Sequence, residues 1–104
     1  MQEESGKVIT TNISFRNTDA TDALKQYASD KIKGVLKKLV HQDTDVTIVL
    51  SVEKTRHIAE ASFRADGADF KASKESDDLY TSIDGLVDNI SSQLRKHKEK
   101  IQNK

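Results

Sequence analysis

The 104 residues contain no cysteine, no proline and no tryptophan, and only four glycines. Without cysteine there is no disulfide framework and no thiolate zinc site. No proline interrupts the long apolar stripe that closes the chain. No apolar run is long enough to span a membrane. The opening residues, Met1 to Lys7, hold no apolar stretch of signal-peptide type, so the cytoplasm is the expected compartment. Nor does either sign of charge dominate: 17 basic side chains balance 17 acidic ones. Taken alone, that balance argues against non-specific nucleic-acid binding.

The signatures of catalysis are missing as well. There is no nucleophile elbow, no phosphate loop and no Ser-His-Asp pattern. His41, His57 and His97 stand far apart, and none sits at metal-ligand spacing. Asp84 and Asp88 form an i,i+4 carboxylate pair, which reads as an exposed acidic face. The sequence therefore calls for no catalytic residue, no metal and no cofactor. Aromatics make up 5% of the chain. Tyr27 and Tyr80 lie on or beside apolar stripes and are expected in the core rather than as base-stacking platforms.

What is present is periodicity. Hydrophobic content is a lean 35%, but it falls in ordered patterns. Residues 1–6 read as a loose leader, and 7–104 as a single domain. Ile9, Thr11, Ile13 and Phe15 alternate as a strand does. Asp19 or Thr21 can then cap a helix whose stripe is Leu24, Tyr27, Ala28, Ile32, Val35, Leu36 and Leu39. Val46, Ile48, Leu50 and Val52 mark a second strand, and Lys54, Thr55 and Arg56 a charged connection. Ala59, Ala61, Phe63 and Ala65 give a third strand. Asp66-Gly67 is a two-residue hairpin signal leading to a fourth strand with Phe70 and Ala72 on one side. Ser76 is a candidate cap for the last helix, with Asp77 and Asp78 in its first turn. Its buried stripe reads Leu79, Ile83, Leu86, Val87, Ile90, Leu94 and Ile101. The order β-α-β-β-β-α implies an α+β two-layer sandwich: a four-stranded sheet with both helices on one face.

The neutral total hides a polarised distribution. From Glu75 to Asp88 there are five acids and no base; from Leu94 to Lys104, five basic residues oppose Glu99 alone. A last helix over about 77–101 would be about 37 Å long, against about 27 Å for an eight-residue strand. It should overshoot the sheet by roughly two turns carrying Arg95, Lys96, Lys98 and Lys100. The helix dipole favours one or two cations there but does not call for so many. His97 falls near the inner stripe, packed with an exposed tip. In the first helix Lys25, Lys31, Lys33, Lys37 and Lys38 lie off the apolar stripe, so both helices would present amines. Helix-borne amines on such a fold suit phosphate recognition by shape.

Three stretches carry a family resemblance: LSVEKTRHIAEASF (50–63), DLYTSIDGLVD (78–88) and QLRKHKEK (93–100). In this order and spacing they resemble the ribosome hibernation promoting factors, also called ribosome-associated inhibitors or the sigma-54 modulation protein family. The likeness covers nearly all of the chain after the leader. It implies a non-enzymatic factor that binds the small ribosomal subunit in the mRNA channel, competes with tRNA and mRNA, and silences translation in stationary phase or stress. On matching positions it implies rRNA contacts from Lys25 and Lys31 in the first helix, and from Arg95, Lys96, Lys98 and Lys100 in the last. Arg56 and His57 match an Arg-His pair after the second strand, where a role at the hairpin rim fits equally well. Asn89 and Ser92 stand where many members carry Lys or Arg, which shortens the basic patch. Long-form members add a dimerising domain that this sequence lacks, so the short type is the best match and a monomer is expected off the ribosome. The alternative is a protein-interaction module, for example a transcription-factor modulator, without direct RNA binding. Co-sedimentation with ribosomes at low salt separates the two.

Overall fold

A computed structural model describes residues 7–102, with side chains described as far as Lys98. The elements run β1 (Ile9–Arg16), α1 (Asp22–Leu39), β2 (Thr44–Glu53), β3 (Arg56–Ala65), β4 (Ala68–Ser76) and α2 (Leu79–Gln102). The sheet order is β1-β2-β3-β4. β1 and β2 are parallel, as a strand–helix–strand crossover requires. β2, β3 and β4 form an antiparallel meander. The leader falls outside the described residues, as does the side chain of Ile101.

Alternation along the strands turns one face of the sheet inward. Val46, Ile48 and Leu50 of β2, Ala59, Ala61, Phe63 and Ala65 of β3, and Phe70 and Ala72 of β4 are buried. Both helices lay their stripes on this face: Leu24, Ala28, Ile32 and Leu36 from α1, and Leu79, Ile83, Leu86, Ile90 and Leu94 from α2. All belong to one core. Each fully buried Leu or Ile contributes about 1.5–3 kcal/mol of transfer free energy. That accounts for a stable domain in a chain so rich in charge.

Local chemistry sets the element ends. Thr21, in an extended conformation, accepts from the Leu24 N–H at 3.1 Å and caps α1. At the other end the Lys7 ammonium donates to the Val40 carbonyl at 2.7 Å. The β3–β4 turn has Asp66 at φ 52° and Gly67 at φ 79°, the pair of positive angles a type I′ turn demands. The β2–β3 connection is tighter than its charge suggests. Lys54, at φ 58°, and Thr55 form the turn. Glu53 pairs with Arg56, so Arg56, expected in the connection, opens β3.

The cap of α2 also differs from the expectation. β4 continues through Ser76, which keeps Ser76 in the sheet. The cap is Asp78, whose carboxylate accepts from the Tyr80 N–H at 3.1 Å and the Thr81 N–H at 3.2 Å. Asp77 and Asp78 thus precede the helix rather than filling its first turn.

Candidate nucleic-acid interface

The strand directions fix how the helices lie. β1, β2 and β4 all point the same way, and each helix returns against the strand before it. α1 and α2 therefore run parallel. Contacts along the seam agree. Tyr27 meets Tyr80 near the helix starts, with ring centroids 5.0 Å apart and edge-to-face. Farther along, Lys31, Val35, Lys38 and Leu39 of α1 line one groove with Val87, Asp88, Ser91 and Arg95 of α2. The two negative helix ends thus lie at one end of the molecule, beside the Asp66-Gly67 turn. Lys37 and Lys38 on α1, and Arg95, Lys96 and Lys98 on α2, are exposed there, where cations are favoured by both dipoles.

The groove encloses about 350 Å³. Its walls are aliphatic, from Val35, Leu39 and Val87, and Lys31, Lys38 and Arg95 supply its cations. Asp30 and Asp88 temper them. Of the residues singled out by sequence, the fold brings Lys31 and Arg95 together here, with Lys96 and Lys98 on the same stretch of helix. Lys38 joins them, read from sequence as an off-stripe lysine but not among the implied rRNA contacts. Its signal was its place two helical turns beyond Lys31. Lys25 stands apart, in a hollow between α1 and β1 with Asn12, Asp22 and Ser29. Lys100 lies on α2, and its side chain is outside the described residues.

The basic turns do not hang free of the sheet as helix length alone suggested. Gln93 donates to the Lys71 carbonyl at 2.8 Å. Leu94 is buried, and the His97 ring stands edge-on to Phe70 at 5.3 Å. Packing therefore holds the helix to the sheet as far as His97, because β4 reaches that far along it. The expected exposed tip of His97 is not exposed: Nε2 is buried without a hydrogen-bond partner. This ring fixes the helix, and Arg95, Lys96 and Lys98 are carried on its outer side.

Arg56 and His57 lie at the opposite end, by the β2–β3 turn. The Arg56 guanidinium grips Glu75 with two bonds, Nε to Oε2 at 3.0 Å and Nη2 to Oε1 at 2.8 Å. It also reaches Glu53 at 3.3 Å. The hydrogen-bonded carboxylate of Glu75 raises the Arg56 pKa, and Arg56 lowers that of Glu75. His57 Nδ1 is 3.2 Å from the Thr55 carbonyl oxygen. The His57 carbonyl accepts from the buried Ser82 hydroxyl at 2.7 Å. Both residues are thus engaged at the rim of the hairpin.

Three further side chains acquire roles that the sequence pattern did not give them. Asn89 donates to the Ser73 carbonyl at 3.2 Å, so with Gln93 it covers the edge of β4. Tyr80 is 40% exposed rather than in the core, since the apolar stripe of α2 begins at Leu79 and leaves position 80 on the flank. Tyr27, half-buried, donates its hydroxyl to Asp84 at 2.6 Å. That bond raises the phenol's pKa, with burial and the charges of Asp84 and Asp78 adding to it. Asp84 is therefore occupied as an acceptor. Among the described residues no cluster of His, Asp or Glu could hold a metal ion, and no helix is long and apolar enough to cross a membrane.

Comparison with known proteins bears on this arrangement. The model of the family described as "Sigma 54 modulation protein / S30EA ribosomal protein" matches residues 11–102. The ribosome hibernation promoting factor of Salmonella typhimurium is 37% identical over 90 residues, covering 86% of this chain and 94% of the relative. That of Azotobacter vinelandii is 40% identical over 89 residues, covering 86% and 82%. Among solved structures, the N-terminal domain of Thermus thermophilus Protein Y superposes with a TM-score of 0.76 at 27% identity, over 86% of this chain and 98% of that one. A ribosomal subunit interface protein from Coxiella burnetii shares the fold, with a TM-score of 0.72 at 24% identity, over 85% and 98%.

Proposed function

The chain belongs to the sigma 54 modulation protein / S30EA ribosomal protein family, and from that premise we propose that it is a ribosome hibernation factor acting by occlusion. It binds the small subunit in the mRNA/tRNA channel during stress or stationary phase. The role is binding, not catalysis, and it is carried out in the cytoplasm, where ribosomes are. Lys31, Lys38, Arg95, Lys96 and Lys98 pair with rRNA phosphates, with Lys25 and Lys100 extending the contact. Bound there, the domain fills the path of tRNA and messenger.

One observation carries this reading: two parallel helices gather amines and a guanidinium at one end of a chain whose net charge is zero. A solvated surface of a neutral protein needs no such separation, whereas a phosphate-lined channel rewards it. Arg56 contributes less in this scheme, because Glu75 and Glu53 already hold its guanidinium. The acidic end, with Glu53, Glu75, Asp77 and Asp78, faces away from RNA.

Co-sedimentation with purified small subunits tests the reading. Removing one cation that pairs with a phosphate costs roughly 1 kcal/mol or more, and reversal to Glu adds repulsion. The triple change Arg95→Glu, Lys96→Glu, Lys98→Glu is expected to cut binding at least a hundredfold at moderate salt. These side chains are exposed, so the fold should stand, with the melting temperature lowered only modestly by carboxylates at the negative helix end. Undiminished binding by the triple variant would refute the assignment.

A further inference from the structure

The sheet has two edges, treated differently. β4 is covered by the amides of Asn89 and Gln93. β1 ends the sheet on the other side, and among the described residues no element pairs with its outer edge. Exposed edges are usually blunted by charge, proline or a bulge. From Ile9 to Phe15 this strand has none of these: ITTNISF carries no charge and no proline, and pairs with β2 without a break in register. The Val8 carbonyl accepts from the Thr44 N–H. By strand alternation, Thr10, Asn12 and Ser14 also turn their backbones toward β2, and Ile9, Thr11, Ile13 and Phe15 turn theirs outward.

We propose that a second copy of this chain occupies the edge, β1 against β1, antiparallel across a twofold axis at Asn12. That register sets Ile9 opposite Phe15, Thr11 opposite Ile13, Thr10 opposite Ser14, and Asn12 opposite itself. The outward-facing backbones then meet as hydrogen-bonded pairs, as an antiparallel ladder needs. The apolar residues fall on the core side of both sheets.

The helix beside the edge supplies independent support in its charges. Asp22, Gln26, Ser29 and Lys33 follow one flank of α1 by helical spacing. Asp22, Lys25, Gln26 and Ser29 line the hollow with Thr11, Asn12 and Ile13, so the charge beside this edge comes from α1 and not from the strand. If α1 meets its copy antiparallel with Gln26 opposite Ser29, Asp22 faces Lys33 of the second copy, and the pair occurs twice by symmetry. Neither residue has an ion-pair partner within the chain among the described residues. The axes of strand and helix can be compared, because the Thr11 and Ser29 hydroxyls are 3.1 Å apart and level the two elements. From Thr11 the strand axis lies one residue on, about 3.3 Å. From Ser29 the helix axis lies one and a half residues back, about 2.3 Å in the same direction. At ideal rises, the two patterns place the twofold axis at points within about one residue of each other along the strand. The monomer expected from sequence took no account of this edge.

Sedimentation equilibrium of the whole chain tests the pairing, at concentrations up to roughly 0.5 mM because an interface this small has no large apolar core. The wild type should show a reversible dimer. Asn12→Lys sets like charges face to face on the axis; Asn12 is exposed, so the fold should stand, and the dimer should weaken about tenfold or more. Asp22→Lys alone and Lys33→Asp alone should each weaken it by a similar factor, while the double variant restores it, a rescue that loss of helix stability cannot produce. A wild type monomeric throughout, a dimer indifferent to Asn12→Lys, or a failed rescue would each overturn the proposal.

Discussion

Ile48 and Leu86 show how little slack the core has. Both are completely buried, one in the middle of β2 and one on the stripe of α2. Truncating either to Ala removes its transfer free energy and leaves a cavity, so about 2–5 kcal/mol of stability should be lost in urea unfolding. Loss under about 0.5 kcal/mol at both sites would contradict the two-layer packing. Two exposed carboxyls give a pH signature instead. Asp78 is held below the usual range by the Thr81 hydroxyl, then by the Tyr80 and Thr81 amides. Glu75 is held low by Arg56. A depressed native pKa means the unfolded chain binds more protons as pH falls toward about 4. The stabilisation is thus present above the unfolded values and lost as pH drops through the folded ones. Asp78→Asn keeps a capping side chain and Glu75→Gln keeps the shape, but neither titrates. Together they should flatten the acid limb of denaturation midpoint against pH by lowering the neutral value toward the acid one, and only modestly, since solvent screens both groups.

The helices show which parts of the fold are legible in the chain. The stripe from Leu24 to Leu39 and the alternation of Val46 to Val52 report a buried face within a short window, so element types and core residues could be read directly. The cap of α2 could not be read so surely. Ser76 and Asp78 are both good caps, and the choice depends on how far β4 pairs with β3, which no local window contains. Arg56 reads as a free cation until the β3–β4 register brings Glu75 across from Ile58, next to it. The groove uniting Lys31, Lys38 and Arg95 needs α1 and α2 to run parallel, a property of the topology. Gly85 marks another such close approach: a Cβ there would come within 2.6 Å of the Lys74 side chain, so α2 lies close against β4. Asn89 and Gln93 complete that seam. Replacing both with Ala should cost roughly 0.5–1.5 kcal/mol per hydrogen bond. It should also speed hydrogen exchange in β4 relative to β2. Unchanged exchange in β4 would mean that the edge is not held by these amides.

The molecule as a whole is a dipole with no net charge. Its acidic end lies at the helix starts and the β2–β3 turn; its basic side is the pair of helix termini, while Asp43, Asp45, Asp66 and Asp69 lie on the strand side of that same end. Such a body should enter a phosphate-lined channel basic end first, and affinity should fall steeply with salt as counterions released from the RNA are counted against it. The slope of log affinity against log salt should drop by about 0.7–0.9 for each phosphate-pairing residue removed. Lys38→Gln should therefore lower the slope, and Arg56→Gln should lower it less, because Glu75 already holds that guanidinium. The central claim, occlusion through the basic end, is tested most directly by competition on vacant small subunits carrying the labelled protein. Added tRNA with messenger should displace it in proportion to tRNA occupancy, with the rRNA uncut and unmodified. Simultaneous, undiminished binding of the protein, messenger and tRNA would contradict occlusion.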